Sequence, residues 1–240
     1  MQKVKAVAII CITALSILSF PSFSYSLGIS AGVSTWYAHW DMEENTGDMD
    51  MGEALMYGPM IALRFSPAWS LSSVFLYGKF EPESDDPNAG PDTIKRIDSD
   101  TVINYSVNKY FRIYAGFKYM GYDFSMGEHF GYGPGAGIGA ILPVTQQFFL
   151  MANISGMYLW STEKEDDNGS GISTSEDYHE TGFNTSITAA YFIPAASVTL
   201  SLGFRYQFFK TEPDDSSSPK SSSDLTFYGV TFSAVYSFDI

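Results

Sequence analysis

The sequence has few of the residues that enzyme sites usually require. Its only cysteine is Cys11, and its three histidines are His39, His129 and His179. Disulfides and thiolate chemistry are therefore excluded for the chain beyond residue 26, and general bases with a pKa near neutrality are scarce. Acidic residues outnumber basic ones by 27 to 13, giving a formal net charge of −14. This balance excludes nucleic acid as a partner, because nucleic-acid binding relies on basic patches.

Long apolar runs are missing except at the N-terminus. The apolar stretch 4–18 surrounds Lys5, follows Lys3 and is followed by small residues. These features predict a secretory signal peptide over residues 1–26 and a mature domain over 27–240, with an uncleaved anchor as the alternative. After residue 26, no run approaches the roughly 20 apolar residues of a membrane-spanning helix, so a helical membrane protein is excluded.

The sequence instead alternates between apolar and polar residues with a period of two. In the stretch HFGYGPGAGIGAILP, 129–143, every second residue from Gly131 to Gly139 is glycine, and mostly apolar residues stand between them. A period of two indicates a β-strand, and the spacing differs from the G-x-G-x-x-G of a nucleotide-binding turn. Ten segments alternate in this way, at 27–40, 54–65, 69–80, 98–107, 111–124, 131–142, 147–160, 181–193, 197–209 and 225–240.

Two kinds of connection alternate between these segments. Four are tight, at 66–68, 108–109, 143–146 and 194–196. Five are longer and polar, at 41–53, 81–97, 125–130, 161–180 and 210–224. Short turns at one end (the turn end) and long loops at the other (the loop end) are typical of a transmembrane β-barrel. We therefore predict an all-β, closed antiparallel barrel of about ten strands, with both termini at the periplasmic turn end.

The acidic residues are concentrated at the loop end. Every Asp and Glu except Asp239 falls within or beside one of the five longer connections. A charge on the lipid-facing side of a barrel costs roughly 2–4 kcal/mol at the membrane midplane, so carboxylates are kept out of the hydrocarbon. The longer connections are therefore predicted to be acidic extracellular loops.

The alternating faces also predict which charged residues point into the barrel. One face of each segment carries Leu, Ile, Val, Phe and Ala with aromatic residues near its ends, as a lipid-facing surface requires. Charged residues of the opposite parity are expected to pair inside. Arg64 and Arg112 are expected in the same layer as Asp239, and the whole set is Arg64, Arg112, Lys118, Arg205, Asp98, Asp100, Glu180 and Asp239.

The glycine strand is expected to leave space inside the barrel. A ten-stranded barrel is narrow, and side chains largely fill its interior. We expect the bare face at Gly131 to Gly139 to accommodate long inward side chains of the neighbouring strands: Lys118, Met120, Phe149, Met151 and Met157.

The whole segment 27–240 resembles outer-membrane β-barrel proteins of Gram-negative bacteria. The resemblance rests on the signal, the ten alternating segments and the closing GVTFSAVYSFDI, where Tyr236, Phe238 and Ile240 alternate on one face. In that class, a terminal strand with alternating aromatic residues and an apolar last residue is recognised by the barrel-assembly machinery. Here Ile240 stands where a terminal Phe is usual. The resemblance implies a location in the outer membrane.

The segment SEDYHETG, 175–182, suggests one possible catalytic element. Asp177 and His179 are two residues apart and face the same way in an extended chain, so a carboxylate could orient an imidazole that activates water. This element resembles the Asp-x-His of the omptin family, ten-stranded outer-membrane proteases with two further aspartates across a cleft. The resemblance implies that the second pair is Asp98 and Asp100, or Asp85 and Asp86.

Parity does not favour this catalytic arrangement. His179 shares an outward parity with Phe183, whereas Asp100 points inward. The acidic stretches 45–53 and 165–171 lack the full ligand ladder of an EF-hand. We therefore predict no catalytic, cofactor-binding or metal-binding residues.

The residues favour a non-enzymatic surface barrel with a plugged interior and an unidentified surface ligand. One alternative is an omptin-like protease that uses Asp177, His179 and loop aspartates. The other is a narrow passive channel, although open aqueous pores belong to barrels of about 16 strands. Outer-membrane lipid, lipopolysaccharide and the barrel-assembly machinery are the expected partners, and no cofactor is expected.

Overall fold

The computed structural model describes residues 27–44, 47–82, 93–124, 127–166, 173–214 and 222–239. The predicted signal peptide lies outside these residues. Among them, no helix is long and apolar enough to cross a membrane. Ten strands account for most of the described chain: β1 Gly28–Glu44, β2 Gly47–Arg64, β3 Trp69–Phe80, β4 Ile94–Ser106, β5 Phe111–Phe124, β6 Gly127–Pro143, β7 Phe148–Asp166, β8 Ser173–Ile193, β9 Val198–Pro213 and β10 Ser223–Asp239.

The strands form one closed antiparallel barrel, which confirms the predicted fold class. Each strand pairs with its neighbours in sequence, and β10 pairs with β1 to close the sheet. The closing ladder extends from Gly28 opposite Asp239 to Glu44 opposite Ser223. Closure leaves no unpaired strand edge, which is the condition for a sheet to lie within lipid.

Most strands are longer than the sequence indicated, and they extend into the predicted loops. β8 has 21 residues, compared with the prediction of 181–193, whereas β3, with 12 residues, matches its predicted range 69–80. Most residues of the predicted loops 41–53 and 161–180 therefore belong to β-hairpins. Their polar residues continue the β1–β2 and β7–β8 ladders. A strand next to an already formed strand continues to gain backbone hydrogen bonds after the apolar pattern ends, which explains the difference.

The four tight connections are confirmed, and short polar side chains stabilise three of them. Asn108 Oδ1 accepts hydrogen bonds from the backbone N–H groups of Tyr110 and Phe111 at 2.8 and 2.9 Å. Ser66 and Thr145 make equivalent contacts with the residues two and three positions ahead. Such side chains satisfy the donors that a tight turn leaves unpaired.

The outer face carries a continuous belt of exposed apolar side chains. Large apolar residues are exposed on all ten strands, whereas soluble monomers rarely expose contiguous apolar patches larger than a few hundred Å². This belt is the surface that lipid would cover, and it includes Val33, Leu55, Ile61, Phe75, Ile103, Phe117, Ile138, Ile154, Ile187, Leu202 and Val230.

The glycines of β6 face the lumen and allow close packing, as predicted, but the neighbours differ from those expected. A Cβ at Gly137 would lie 2.4 Å from the carbonyl oxygen of Ile154 and 2.6 Å from the Tyr114 ring. A Cβ at Gly135 would lie 2.9 Å from Met157 Cγ, so Met157 is one expected neighbour that is confirmed. Among the nearest atoms, Tyr114 and Arg112 are found in place of the expected Lys118 and Met120, because they lie directly opposite Gly137 and Gly139 in the β5–β6 ladder.

Candidate functional site

Large side chains fill the half of the lumen nearer the loop end, and we call them the upper cluster. The ring centroids of Trp40 and Tyr122 are 5.0 Å apart, and those of Tyr122 and Phe227 are 6.3 Å apart with nearly parallel planes. Rings at these separations pack as in a protein core and leave little room for water. The upper cluster comprises Trp36, Trp40, Met56, Leu76, Phe80, Met120, Tyr122, Leu159, Phe209 and Phe227.

Arg96 is fully buried at the base of the upper cluster. Its guanidinium carbon lies 3.5 Å from the ring centroid of Phe227 and 5.5 Å from that of Trp36. Its Nη2 donates to Asp98 Oδ2 and to Gln207 Oε1, both at 2.8 Å. A desolvated cation over aromatic rings gains about 2 kcal/mol. Arg96 therefore joins the upper cluster to the charged groups beneath it.

An ion-pair layer that includes Arg96 crosses the lumen beneath the upper cluster. Lys118 Nζ lies 3.0 Å from both carboxylate oxygens of Asp98 and 3.2 Å from Asp100 Oδ1. Arg205 Nη2 lies 2.9 Å from Asp100 Oδ2 and 3.5 Å from Asp98 Oδ1. Because β4 and β9 occupy opposite sides of the barrel, these contacts bridge it. The ion-pair layer consists of Arg96, Asp98, Asp100, Lys118 and Arg205.

The ion-pair layer holds three cations and two carboxylates, so it carries a formal excess of one positive charge. Buried charges are tolerated only when partners compensate their desolvation, which the multiple contacts to Asp98 provide. The general prediction that inward-facing charges pair inside the barrel is confirmed for Lys118, Arg205, Asp98 and Asp100, although their individual partners were not predicted. Arg96 was not among the charged residues predicted to face inward, although it shares the inward parity of Asp98.

A cavity of about 370 Å³, the lower cavity, occupies the lumen between the ion-pair layer and the turn end. Lys118, Asp100 and Arg205 form its upper boundary, and Arg112 lies in its wall. The rest of the lining combines apolar side chains, among them Met60, with small polar ones, including Ser72, Asn104, Ser155, Asn184, Ser186 and Thr188. The lumen is thus filled above the ion-pair layer and open below it.

The remaining charges predicted to face inward have separate environments. Arg112 Nη2 donates to Asn153 Oδ1 at 2.8 Å. Arg64 and Asp239 are both opposite Gly28 in their ladders, consistent with the shared layer predicted for them, but the Asp239 side chain lies outside the described residues. The layer expected to hold Arg64, Arg112 and Asp239 together therefore stays a prediction.

His179 lies on the outside of the barrel, at the loop end and beyond the apolar belt. Its Nδ1 is 2.9 Å from Asp214 Oδ1 and its Nε2 is 3.2 Å from Glu212 Oε2. The hydrogen bond to Asp214 raises the pKa of His179 above its ordinary value, against the smaller effect of burial. The ring stacks on Tyr158, another outward residue, so the outward parity predicted for His179 is confirmed.

The residues suggested for an omptin-like site do not come together. Asp177 accepts a hydrogen bond from Thr162 at 2.9 Å, and no contact between Asp177 and His179 is found in the described part of the chain. Asp98 and Asp100 are inside the barrel, in the ion-pair layer. The other suggested pair, Asp85 and Asp86, lies outside the described residues.

A second histidine–carboxylate pair, missed by the sequence analysis, lies inside the barrel near the loop end. His129 Nε2 is 2.7 Å from Glu180 Oε1, and the Glu180 side chain has no exposed surface. Oε2 of Glu180 has no hydrogen-bond partner among the described groups. Inward parity was predicted for Glu180. His129 has the same parity as the glycines of β6, so the alternation of the sequence could have predicted that both residues face the lumen.

The only group of metal-ligand type within the described ranges lies on β1 and β2 at the loop end. His39, Asp41 and Asp50 each present one ligand atom, and these atoms lie within 4.8 Å of one another. A shift in the β1–β2 register after His39 places Asp41 opposite Asp50. Imidazole and carboxylate together suit a divalent ion such as Zn²⁺. A protonated His39 would equally hold the two carboxylates by ion pairs, since its Nε2 is 2.9 Å from Asp41 and 3.6 Å from Asp50.

Solved structures of outer-membrane barrels resemble this protein. The outer membrane protease OmpT from Escherichia coli aligns with a TM-score of 0.58 and 11% identity, covering 92% of this chain and 99% of that one. The β-domain of the Bordetella autotransporter BrkA aligns with a TM-score of 0.50 and 10% identity, covering 90% and 100%. No family and no curated protein matches the sequence.

At this level of identity, the comparisons establish the fold and nothing finer. Together with the closed ten-stranded barrel, they show that the chain has the barrel fold of outer-membrane proteins such as OmpT. The resemblance to the omptins is confirmed for the barrel and is weak in sequence.

Proposed function

We propose that this protein is an integral outer-membrane barrel with a closed lumen that acts at the cell surface and catalyses no reaction. The observation that carries this proposal is the filling of the lumen below the loop end. The upper cluster and the ion-pair layer together occupy the barrel's cross-section, with Trp36, Arg96 and Phe227 fully buried. A solute crossing the barrel would have to disrupt both.

The surface role rests on the acidic residues at the loop end, which we call the acidic rim. Its carboxylates lie on successive hairpins that extend beyond the apolar belt, and Lys95 and Lys164 partly neutralise them through contacts with Asp123 and Glu128. Divalent ions held by this rim would bridge it to the phosphates of lipopolysaccharide. The rim consists of Asp41, Glu43, Asp48, Asp50, Glu53, Asp123, Glu128, Asp177, Glu212 and Asp214.

The N-terminal segment and the last strand carry features that suit targeting to the outer membrane. We propose that the segment 1–26 directs secretion and is removed, and that the barrel-assembly machinery binds β10. Outward-facing Tyr236 and Phe238 at the end of β10 are exposed, and their tilted rings lie side by side with centroids 5.9 Å apart. They are the aromatic pair that such recognition would use.

Planar-bilayer recording of the purified full-length barrel tests the closed lumen. We expect no large steady conductance for the native protein, because no wide aqueous path passes the upper cluster. Phe232→Ala on the lipid face should behave like the native protein, whereas Phe227→Ala should show an increased frequency of brief openings. Large steady currents through the unmodified protein would contradict the proposal and favour the passive channel.

A peptide-cleavage assay tests the protease alternative. Two observations support that alternative: the fold shared with OmpT and the contacts of His179 with two carboxylates. We expect no cleavage of a mixed peptide library by the folded protein. Cleavage that disappears in His179→Ala, while the barrel stays folded, would overturn the non-enzymatic assignment.

A further inference from the structure

We propose that the lower cavity is a binding site for a small organic oxyanion, a carboxylate or phosphate ester of about monosaccharide size, that enters from the periplasmic side. This site is separate from the surface role proposed above, because it lies on the other side of the ion-pair layer.

The charges around the lower cavity favour an anion. The ion-pair layer that bounds the cavity has one more cation than carboxylates. Arg112 adds a second excess positive charge, because no carboxylate lies within ion-pair distance of it in the part of the chain that the structure describes. Its Nε is buried and has no hydrogen-bond partner among those residues, whereas Nη2 is held by Asn153. Arginine presents a planar fork of donors that suits carboxylate and phosphate oxygens.

The neutral groups in the wall suit an organic ligand with hydroxyl groups. Ser155, Asn184 and Ser186 place hydroxyl and amide groups in the cavity. Asn184 already accepts from Arg205 Nε at 3.2 Å, which orients both side chains toward the same space. Apolar groups, including Met60, offer a surface for the carbon skeleton. A few placed polar groups among apolar ones are the usual composition of a small-molecule site.

Size and access also fit a small solute. The volume of about 370 Å³ lies near the lower end of the roughly 300–1,000 Å³ range of ligand sites. Inward serines at the turn end, Ser30, Ser72 and Ser201, retain partial solvent exposure, whereas Trp36 above them has none. The lower cavity therefore opens at the turn end and is closed at the loop end. Because the turn end is the expected periplasmic side, the ligand would come from the periplasm.

Titration calorimetry on the folded full-length chain in detergent micelles tests this proposal. The probes are glucose 6-phosphate, gluconate and inorganic phosphate, with glucose as the uncharged comparison. We expect saturable binding of glucose 6-phosphate or gluconate and none of glucose. Binding of inorganic phosphate alone would overturn the organic part of the proposal, and binding of none of the anions would overturn all of it.

Two variants locate the binding. Arg112→Gln should weaken the binding of the anionic probe at least tenfold, and Arg112→Lys should weaken it less because the charge remains. Lys109→Gln is the matched control, since Lys109 is exposed in the neighbouring turn outside the lumen. An equal loss in Arg112→Gln and Lys109→Gln would show general surface attraction and overturn the site. Retained heat-modifiable mobility on gels confirms that each variant is folded, and a failure of Arg112→Gln to fold leaves Arg112→Lys to decide.

Discussion

The same ten strands enclose both halves of the lumen, but the side chains that point inward differ in size and polarity between the two halves. In the half nearer the loop end, inward positions carry Trp, Phe, Tyr and Met, and the space is filled. In the half nearer the turn end, they carry Ser, Thr, Asn and Gly, and a cavity of about 370 Å³ remains. A barrel's strand number sets its diameter, so the size of the inward side chains decides whether the interior is solid.

The ion-pair layer lies where the two halves meet, and this position has a physical reason. Asp98 faces the dry side and is fully buried, whereas Asp100 borders the lower cavity and keeps partial exposure. Partial solvation at one edge lowers the cost of placing five charges inside a barrel. The layer therefore closes the dry half and forms the upper boundary of the open half.

The largest expected effect comes from removing the central carboxylate of the ion-pair layer. Asp98→Asn leaves three buried cations with one carboxylate, and we expect a loss of roughly 3–5 kcal/mol in the free energy of unfolding. Urea titration in lipid vesicles measures it. Asp123→Asn is the control, because it breaks an exposed pair with Lys95 and should cost less than about 1 kcal/mol. Equal losses would contradict the role of the layer as a buried structural element.

A pair of methionines on β2 compares the two halves directly. Met56 is fully buried in the upper cluster, whereas Met60 lines the lower cavity and is half-buried. We expect Met56→Ala to cost about 2–4 kcal/mol in unfolding free energy and Met60→Ala less than about 1 kcal/mol, because the second leaves no new dry void. The same urea titration measures both. Similar costs would indicate that the lower cavity is as tightly packed as the upper half.

A pair of glycines tests whether the β6 face is required for packing. A Cβ at Gly137 would meet the Ile154 carbonyl oxygen at 2.4 Å, whereas a Cβ at outward-facing Gly156 would meet no atom within 4 Å. Gly137→Ala should destabilise the barrel by roughly 1–3 kcal/mol through overpacking. Gly156→Ala should be neutral or stabilise it by up to about 1 kcal/mol, because it restricts the unfolded chain. Refolding yields and urea midpoints report both, and a neutral Gly137→Ala would refute the close approach of β6 and β7.

Several features of the fold were accessible to sequence reasoning because lipid imposes a simple rule. Apolar residues at every second position identified all ten strands, and the four tight turns followed as the short connections left between these segments. Most strand ends at the loop end were misplaced, although those of β3 and β5 were correct. Polar segments such as 173–180 continue the ladder through hydrogen bonds to a neighbouring strand, and apolar alternation does not mark them. Parity also placed Lys118 and His179 on their correct faces.

The sequence by itself determined that the chain forms a barrel, which residues face outward and inward, and at which end the acidic residues lie. These features depend only on the period of a strand and on the cost of placing charge in lipid. Only the tertiary structure decided which inward residues meet. The stagger of the strands brings Arg205 on β9 across the lumen to Asp100 on β4, stacks Arg96 on Phe227 and leaves the lower cavity open. Such contacts depend on the register and tilt of strands that are far apart in the chain, and no local pattern encodes those distances.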